Sequence, residues 1–125
     1  MAWFQSQNLW VEEAGEGIAA LVLDGPGKRN YLDSSILAEI EQALSAVEAE
    51  PRFRVCVLRS KKGGSFCHGV RAETFAGLES QAAWENFRAQ GERICDRLTQ
   101  ARMPTVALIA GVCWGAGLEL ALACD

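Results

Sequence analysis

Residues 105–124, TVALIAGVCWGAGLELALAC, limit what this chain can fold into more than any other stretch. Between Met103 and Asp125 a single side chain, Glu119, carries a formal charge, two residues past Gly115-Ala116-Gly117. Pro104 followed by Thr105-Val-Ala-Leu-Ile109 predicts a short strand covered on both faces. Glycines at 111, 115 and 117 predict a sharp turn that can approach a ligand without Cβ interference. Leu118 to Cys124, rich in Leu and Ala, predicts a buried helix. Glu119 then falls in the first helical turn, where free N–H groups and the helix dipole favour negative charge. So apolar a run is expected to be buried on all sides, and a charge taken out of water there needs a reason.

A helix start of this kind can hold an anion, or an oxygen that becomes negative during a reaction. Three plainer readings compete. Glu119 can be a first-turn acid with an outlet to the surface. The run approaches the length of about 20 apolar residues that crosses a bilayer, but its glycines, Pro104 and the central Glu argue against a membrane span. A dinucleotide fingerprint needs a third glycine, which Gly115-Ala-Gly117-Leu-Glu-Leu120 lacks.

A chain of 125 residues, half of them apolar, has room for one domain and one core, spanning residues 1–125. A net charge of −4 and a pI near 5.0 argue against a nucleic-acid partner. The start, MAWFQSQNLWVEE, has no basic segment followed by an apolar one, so no signal peptide is visible. Cys56, Cys67, Cys95, Cys113 and Cys124 form no C-x-x-C pair and suit a reducing, cytoplasmic compartment. With one His and no clustered ligands, no metal site is expected.

Leu9 to Val11 and Ile18 to Leu23 read as hairpin strands joined by a polar turn over Glu12–Gly17. The turn from Asp24 to Asn30 carries Lys28 and Arg29, either solvated or offered to a phosphate. Asp33 or Ser34 caps a helix over Ser35 to Ala49, with Ile36, Leu37, Ile40, Leu44 and Val47 as its stripe. Pro51 ends it, and Arg54 to Leu58 form a third strand. A second helix runs from about Ser80 to Gln100 with Trp84, Phe87, Ile94 and Leu98 inward. Strands alternating with long helices give an α/β architecture. The β-β-α order appears once in full, Leu9 to Ala49, and again more loosely, Arg54 to Gln100, which suggests a repeating superhelical turn. The chain stops within one to two turns of its last helix with no Gly or Asn cap, so the N-terminal portion of a larger domain is expected.

Two glycine-bearing turns each follow a predicted strand: Phe66-Cys-His-Gly69-Val70-Arg71 and Gly115-Ala116-Gly117-Leu-Glu119. Brought together, they could aim two backbone N–H groups at one carbonyl oxygen, with a carboxylate beside it to move protons or hold water.

Three segments, LDGPGKRNYLD, VLRSKKGGSFCHGV and MPTVALIAGVCWGAGLELALACD, in this order and spacing, resemble the enoyl-CoA hydratase/isomerase (crotonase) family. The C-x-G-x-G-L-E-L-A-L-A-C run is similar to the N-terminal hydratase/isomerase part of multifunctional fatty-acid oxidation proteins. The resemblance implies the N-terminal portion of a crotonase-like ββα superhelix that binds acyl-CoA thioesters, as a homotrimer or hexamer or as part of a multifunctional chain. It implies oxyanion donors at the Val70 and Ala116 N–H groups and a catalytic acid at Glu119. Lys28, Arg29, Tyr31 and Leu32 fall on its CoA-binding loop, and His68, Gly69, Arg71 and Gly115 on its substrate turns. It implies syn hydration of a trans-2-enoyl-CoA, with a second glutamate beyond Asp125, so these residues alone are expected to lack the complete chemistry. No cofactor is called for, because coenzyme A is part of the substrate.

Four residues depart from the family pattern: Ala116 for glycine, Val70 and His68 for small residues, and Arg71 for Asp. His68 is read as a hydrogen-bonded structural histidine, Arg71 as reaching either a CoA phosphate or solvent, and Cys67 and Cys113 as small buried hydrophobes. Two alternatives stay open: a Δ3-Δ2 enoyl-CoA isomerase, and a non-catalytic acyl-CoA-binding or assembly module.

Overall fold

The computed structural model describes residues 2–125. Its large sheet starts from an antiparallel hairpin, β2 (Leu9–Gly15) with β3 (Ile18–Leu23). An outer strand not expected from the sequence, β1 (Ala2–Gln5), pairs along the edge of β2. Strand β2 continues through residues that read as turn, because their acids find partners. Glu12 meets Arg59, two strands away across the sheet, at 2.6 Å, and Glu13 accepts the Gly17 N–H at 3.2 Å. Next to β3 and parallel to it lies β4 (Val55–Ser60), then β6 (Thr105–Ala107), for the order β1-β2-β3-β4-β6.

The crossovers between parallel strands are helical, as the twisted sheet requires. Helix α1 (Ser34–Ala49) starts where the Asp33 carboxylate accepts the Ile36 N–H at 2.8 Å. Its stripe of Ile36, Leu37, Ile40, Leu44 and Val47 is buried as expected. Helix α3 (Gln81–Thr99) is capped by Ser80, whose hydroxyl oxygen accepts the Ala83 N–H at 3.0 Å. Ile94 and Leu98 enter the same core as α1 and the sheet, beside Leu21, Leu58 and Phe66. Arg97 ties the two helices together, donating to the Glu41 carbonyl at 3.0 Å.

A second, two-stranded parallel sheet holds β5 (Ser65–Cys67) and β7 (Val112–Cys113). The ββα order therefore occurs three times: β2-β3-α1, then β4-β5 with α2 (Ala72–Ala76) and α3, then β6-β7 with α4 (Ala116–Leu122). In the second and third units the first strand joins the large sheet and the second joins the small one. This is the superhelical turn that the order of elements suggests.

The 105–124 run departs from expectation in two ways. Its strand ends at Ala107 rather than Ile109, and α4 begins at Ala116, ahead of Leu118. Nor is it buried on all sides: Val106, Leu108, Ile109, Val112, Trp114, Leu118 and Leu122 are 39% to 73% exposed. Within α4 only Gly117 and Leu120 are buried, because no described element packs over its outer face. Trp84 also departs from its expected inward position. It is 44% exposed and stacks on Phe75 with ring centroids 5.3 Å apart, while Phe87 is half-buried.

Candidate active site

Pairing of β5 with β7 brings the two glycine turns together, which spacing alone cannot show. Trp114 donates its N–H to the Cys67 carbonyl at 3.0 Å, and Val112 donates to the Gly64 carbonyl at 3.1 Å. Two glycines make the approach possible. Gly69 has φ +84°, and a Cβ on it would lie 2.9 Å from the Trp114 oxygen and 3.1 Å from the Ala116 nitrogen. A Cβ on Gly117 would lie 2.4 Å from the Cys67 carbonyl oxygen. Neither position accepts a side chain without moving backbone.

The Asp24–Leu32 segment is fastened to the first of these turns. Its centre is Asn30, 3% exposed, whose side-chain oxygen accepts the Gly25 N–H at 3.0 Å. The same amide donates to the Ser60 hydroxyl at 2.8 Å and the Phe66 carbonyl at 3.0 Å. The His68 N–H donates to the Asn30 carbonyl at 2.8 Å, and the Leu32 N–H to the Gly69 carbonyl at 2.7 Å. Lys62 holds the other end, its Nζ 2.8 Å from the Asp24 carboxylate and 2.6 Å from the Gly25 carbonyl. Sequence reasoning passes over both Asn30 and Lys62. An Asn closing a Gly-Pro-Gly turn is the signal that could have found the first.

His68 takes the structural position expected of it. Its Nδ1 lies 2.7 Å from the Ser65 hydroxyl, which in turn accepts the Asn30 N–H at 3.0 Å. The Ser65 hydroxyl thus links the imidazole ring to the Asn30 backbone.

A cleft of about 680 Å³ opens along the joined turns. His68, Val70, Gly115, Ala116 and Glu119 line it from the turns, and Leu32 from the fastened segment. Helices α2 and α3 contribute Phe75, Trp84 and Phe87, and Trp114 completes the aromatic lining. The sequence pattern marks none of those four aromatics as a site residue, and Trp84 and Phe87, one helical turn apart on α3, read as core. Among the described residues, neither the Val70 nor the Ala116 N–H donates to a protein acceptor. Ala116 is the first residue of α4, where an N–H has no intrahelical partner.

Glu119 occupies the first turn of α4 as expected, with its N–H on the Gly115 carbonyl at 3.1 Å. It is not a buried charge. The residue is exposed along the cleft, and its carboxylate has no hydrogen bond or ion pair with a described residue. No desolvation cost therefore has to be met, and the surface outlet is real.

The remaining candidates are not among the residues that line the cleft. Gly69 is buried. Lys28 and Arg29 are exposed on the Asp24–Leu32 segment. The exposed Arg71 guanidinium lies 4.1 Å over the Tyr31 ring, whose centroid is 5.6 Å from that of His68. Cys67 is buried as read, and burial pushes its thiol up to about 11, while Cys113 is half-buried. Among the described residues, no group of three or more His, Cys, Asp or Glu is placed to hold a metal ion. No helix among them is long and apolar enough to cross a membrane.

The profile of the enoyl-CoA hydratase/isomerase family matches residues 13–125. Over 121 residues the chain is 33% identical to the fatty acid oxidation complex subunit alpha of Idiomarina loihiensis, covering 96% of itself and 17% of that protein. It is 30% identical over 115 residues to the mitochondrial methylglutaconyl-CoA hydratase of Mus musculus, covering 92% of itself and 36% of that protein. The structure matches enoyl-CoA hydratase from Bacillus anthracis with a TM-score of 0.88 at 27% identity, over 95% of this chain and 46% of that one. The fold is thus the crotonase-like ββα superhelix, and the chain spans less than half the length of each of these relatives.

Proposed function

The chain belongs to the enoyl-CoA hydratase/isomerase family, and from that premise we propose that it forms the thioester-polarising part of an enoyl-CoA hydratase. One observation carries the reading. Two N–H groups with no acceptor among the described residues, those of Val70 and Ala116, line the same cleft as an unpartnered carboxylate, Glu119.

In this reading the thioester oxygen of a trans-2-enoyl-CoA accepts both N–H groups. Glu119 orients a water molecule at the β-carbon and takes its proton. As the new C–O bond forms, the π electrons of the double bond move onto the thioester, and the negative charge gathers on the oxygen facing the two donors. Losing one such donor costs about 3–4 kcal/mol of transition-state stabilisation. The α-carbon then needs a proton from a second acid, which the resemblance puts beyond Asp125. The fastened Asp24–Leu32 segment, with Lys28 and Arg29 exposed on it and Arg71 over its Tyr31, suits the phosphates of coenzyme A. No cofactor is required. Free thiols at all five cysteines suit the cytoplasm, and assembly as a trimer or hexamer, or within a multifunctional chain, follows the same reading.

A second reading, double-bond isomerisation, is favoured by Glu119 alone: one carboxylate beside the two donors suffices to shuttle a proton between carbons of an enolate. Turnover of crotonyl-CoA, measured with these residues in a chain as long as the solved hydratases, decides between the readings. Glu119→Gln is expected to lower it by at least about two orders of magnitude while acyl-CoA binding changes little. Unchanged turnover removes Glu119 from the chemistry. Double-bond migration without hydration selects isomerisation, and binding with no turnover in either form selects the non-catalytic module.

A further inference from the structure

The charges around the cleft are not evenly placed, and the unevenness bears on which acyl groups it takes. The exposed cations Lys28 and Arg29 belong to the Asp24–Leu32 segment, which is fastened at His68 and Gly69, and Arg71 lies over Tyr31 of that segment. The α3 side is different. There Glu92 and Asp96 line the cleft, and the only cation on it among the described residues, Arg88, is bonded to the Glu92 carboxylate one helical turn away. Phe75, Trp84 and Phe87 also line the cleft, with Phe75 stacked on Trp84 and set edge-on to Phe87. The α3 side thus offers aromatic surface and an excess of negative charge.

A thioester held at Val70 and Ala116 has two ends of opposite character. The CoA end carries phosphates and is drawn to the cationic side. The acyl end is left to the aromatic and acidic side. We propose that this cleft selects acyl-CoA thioesters whose acyl group is apolar to its end and turns away those ending in a carboxylate, an inference that rests on the acyl-CoA reading above. The attraction is burial of an alkyl or alkenyl chain against the three rings. The discrimination is repulsion: a terminal carboxylate would approach Glu92, Asp96 and Glu119 with no unpaired cation among the lining residues to receive it. The chain is similar both to a fatty acid oxidation subunit and to a hydratase named for methylglutaconyl-CoA, a thioester of a dicarboxylic acid. Its own lining favours the first kind of substrate.

Hexanoyl-CoA and adipoyl-CoA have the same number of acyl carbons and differ by the terminal carboxylate, so they form a matched pair for calorimetric titration of the chain. Adipoyl-CoA is expected to bind at least about tenfold more weakly. Trp84→Ala is expected to weaken hexanoyl-CoA several-fold and leave free CoA unchanged. Equal or tighter binding of adipoyl-CoA overturns the proposal. So does an adipoyl-CoA affinity that collapses in Arg88→Gln, because that residue would then be receiving the carboxylate. If free CoA, hexanoyl-CoA and adipoyl-CoA all fail to bind, the acyl-CoA reading itself is lost and this inference with it. Hexanoyl-CoA binding with equal preference for its partner sinks only the selectivity.

Discussion

Replacing Gly117 by alanine tests whether contact between α4 and β5 builds the site. The added methyl would sit 2.4 Å from the Cys67 carbonyl oxygen, 2.7 Å from its Cβ and 2.9 Å from its carbonyl carbon. Ordinary contact starts near 3.4 Å, so α4 and β5 must part by about 1 Å. The obstructing carbonyl cannot swing aside, because it accepts the Trp114 N–H at 3.0 Å and belongs to a strand paired with β7. Overpacking of this kind costs about 1–3 kcal/mol, and straining that hydrogen bond adds about 1 kcal/mol. We expect a loss of about 2–4 kcal/mol, on the order of 10 °C in melting temperature for a chain of this size. Gly91→Ala supplies the opposite sign. An alanine methyl there, inside α3, would meet no atom within 4 Å, so the substitution should stabilise by about 0.5–1 kcal/mol. Urea denaturation followed by far-UV circular dichroism gives both values. A Gly117→Ala midpoint equal to the parent's would refute the close contact, and with it the means by which Ala116 is held near Gly69.

Three other perturbations have defined outcomes. Burial pushes the Glu39 carboxyl up, but hydrogen bonds from Ser6, from Asn8 by side chain and backbone (2.6 and 2.9 Å) and from Gln7 outweigh it and hold the group below its ordinary 4.5. A depressed carboxyl lends stability above the unfolded value that is lost as pH falls through the folded one. Glu39→Gln should therefore cost about 1 kcal/mol at pH 7, a deficit that closes on acidification below the unfolded value near 4.5; urea midpoints at both ends of that range check it. Burial pushes the Cys56 and Cys67 thiols up to about 12 and about 11, so iodoacetamide at about pH 8 should leave both unmodified until urea is added, as peptide mass mapping would record. The exposed apolar side chains of β6, β7 and α4 should make the chain self-associate in sedimentation velocity, and Leu122→Glu with Trp114→Ser should reduce that association.

Much of the scaffold is readable because each signal is local. Asp33 before an apolar stripe fixes the start of α1, and Pro51 fixes its end. The same logic fails where partners lie far along the chain. Glu12 and Glu13 read as turn because their cation partners, Arg59 and Arg52, are 47 and 39 positions away and invisible to a local pattern. Strand β7 is hidden for a related reason. Its two residues have no periodicity, and they become a strand only because β5 is beside them. The burial expected of the 105–124 run goes wrong differently: hydrophobicity reports that a residue prefers burial, not that an element of this chain covers it. The site shows the same division. Composition marks Glu119 and the glycines, whereas Trp84 and Phe87 read as core because an aromatic facing a cleft and one facing a core have the same spacing.

The order of the elements explains why the site falls where it does. In the second and third ββα units the first strand extends the large sheet, and the second crosses to the small one before its helix begins. Successive units stack in parallel, so equivalent positions lie side by side. The residues that follow β5 and β7 must then be neighbours, whatever their identity. A glycine at each lets the backbones close to contact distance, and the first N–H after each turn has no strand or helix acceptor waiting for it. Two N–H groups without an acceptor among the described residues, on residues lining one cleft, are thus a consequence of the repeat. What the particular sequence adds is the acid one turn into α4 and the aromatic rings on α2 and α3. On the proposed acyl-CoA reading, changes to those rings should therefore redirect which acyl group is bound, whereas changes at Gly69 or Gly117 should disable binding for every thioester alike.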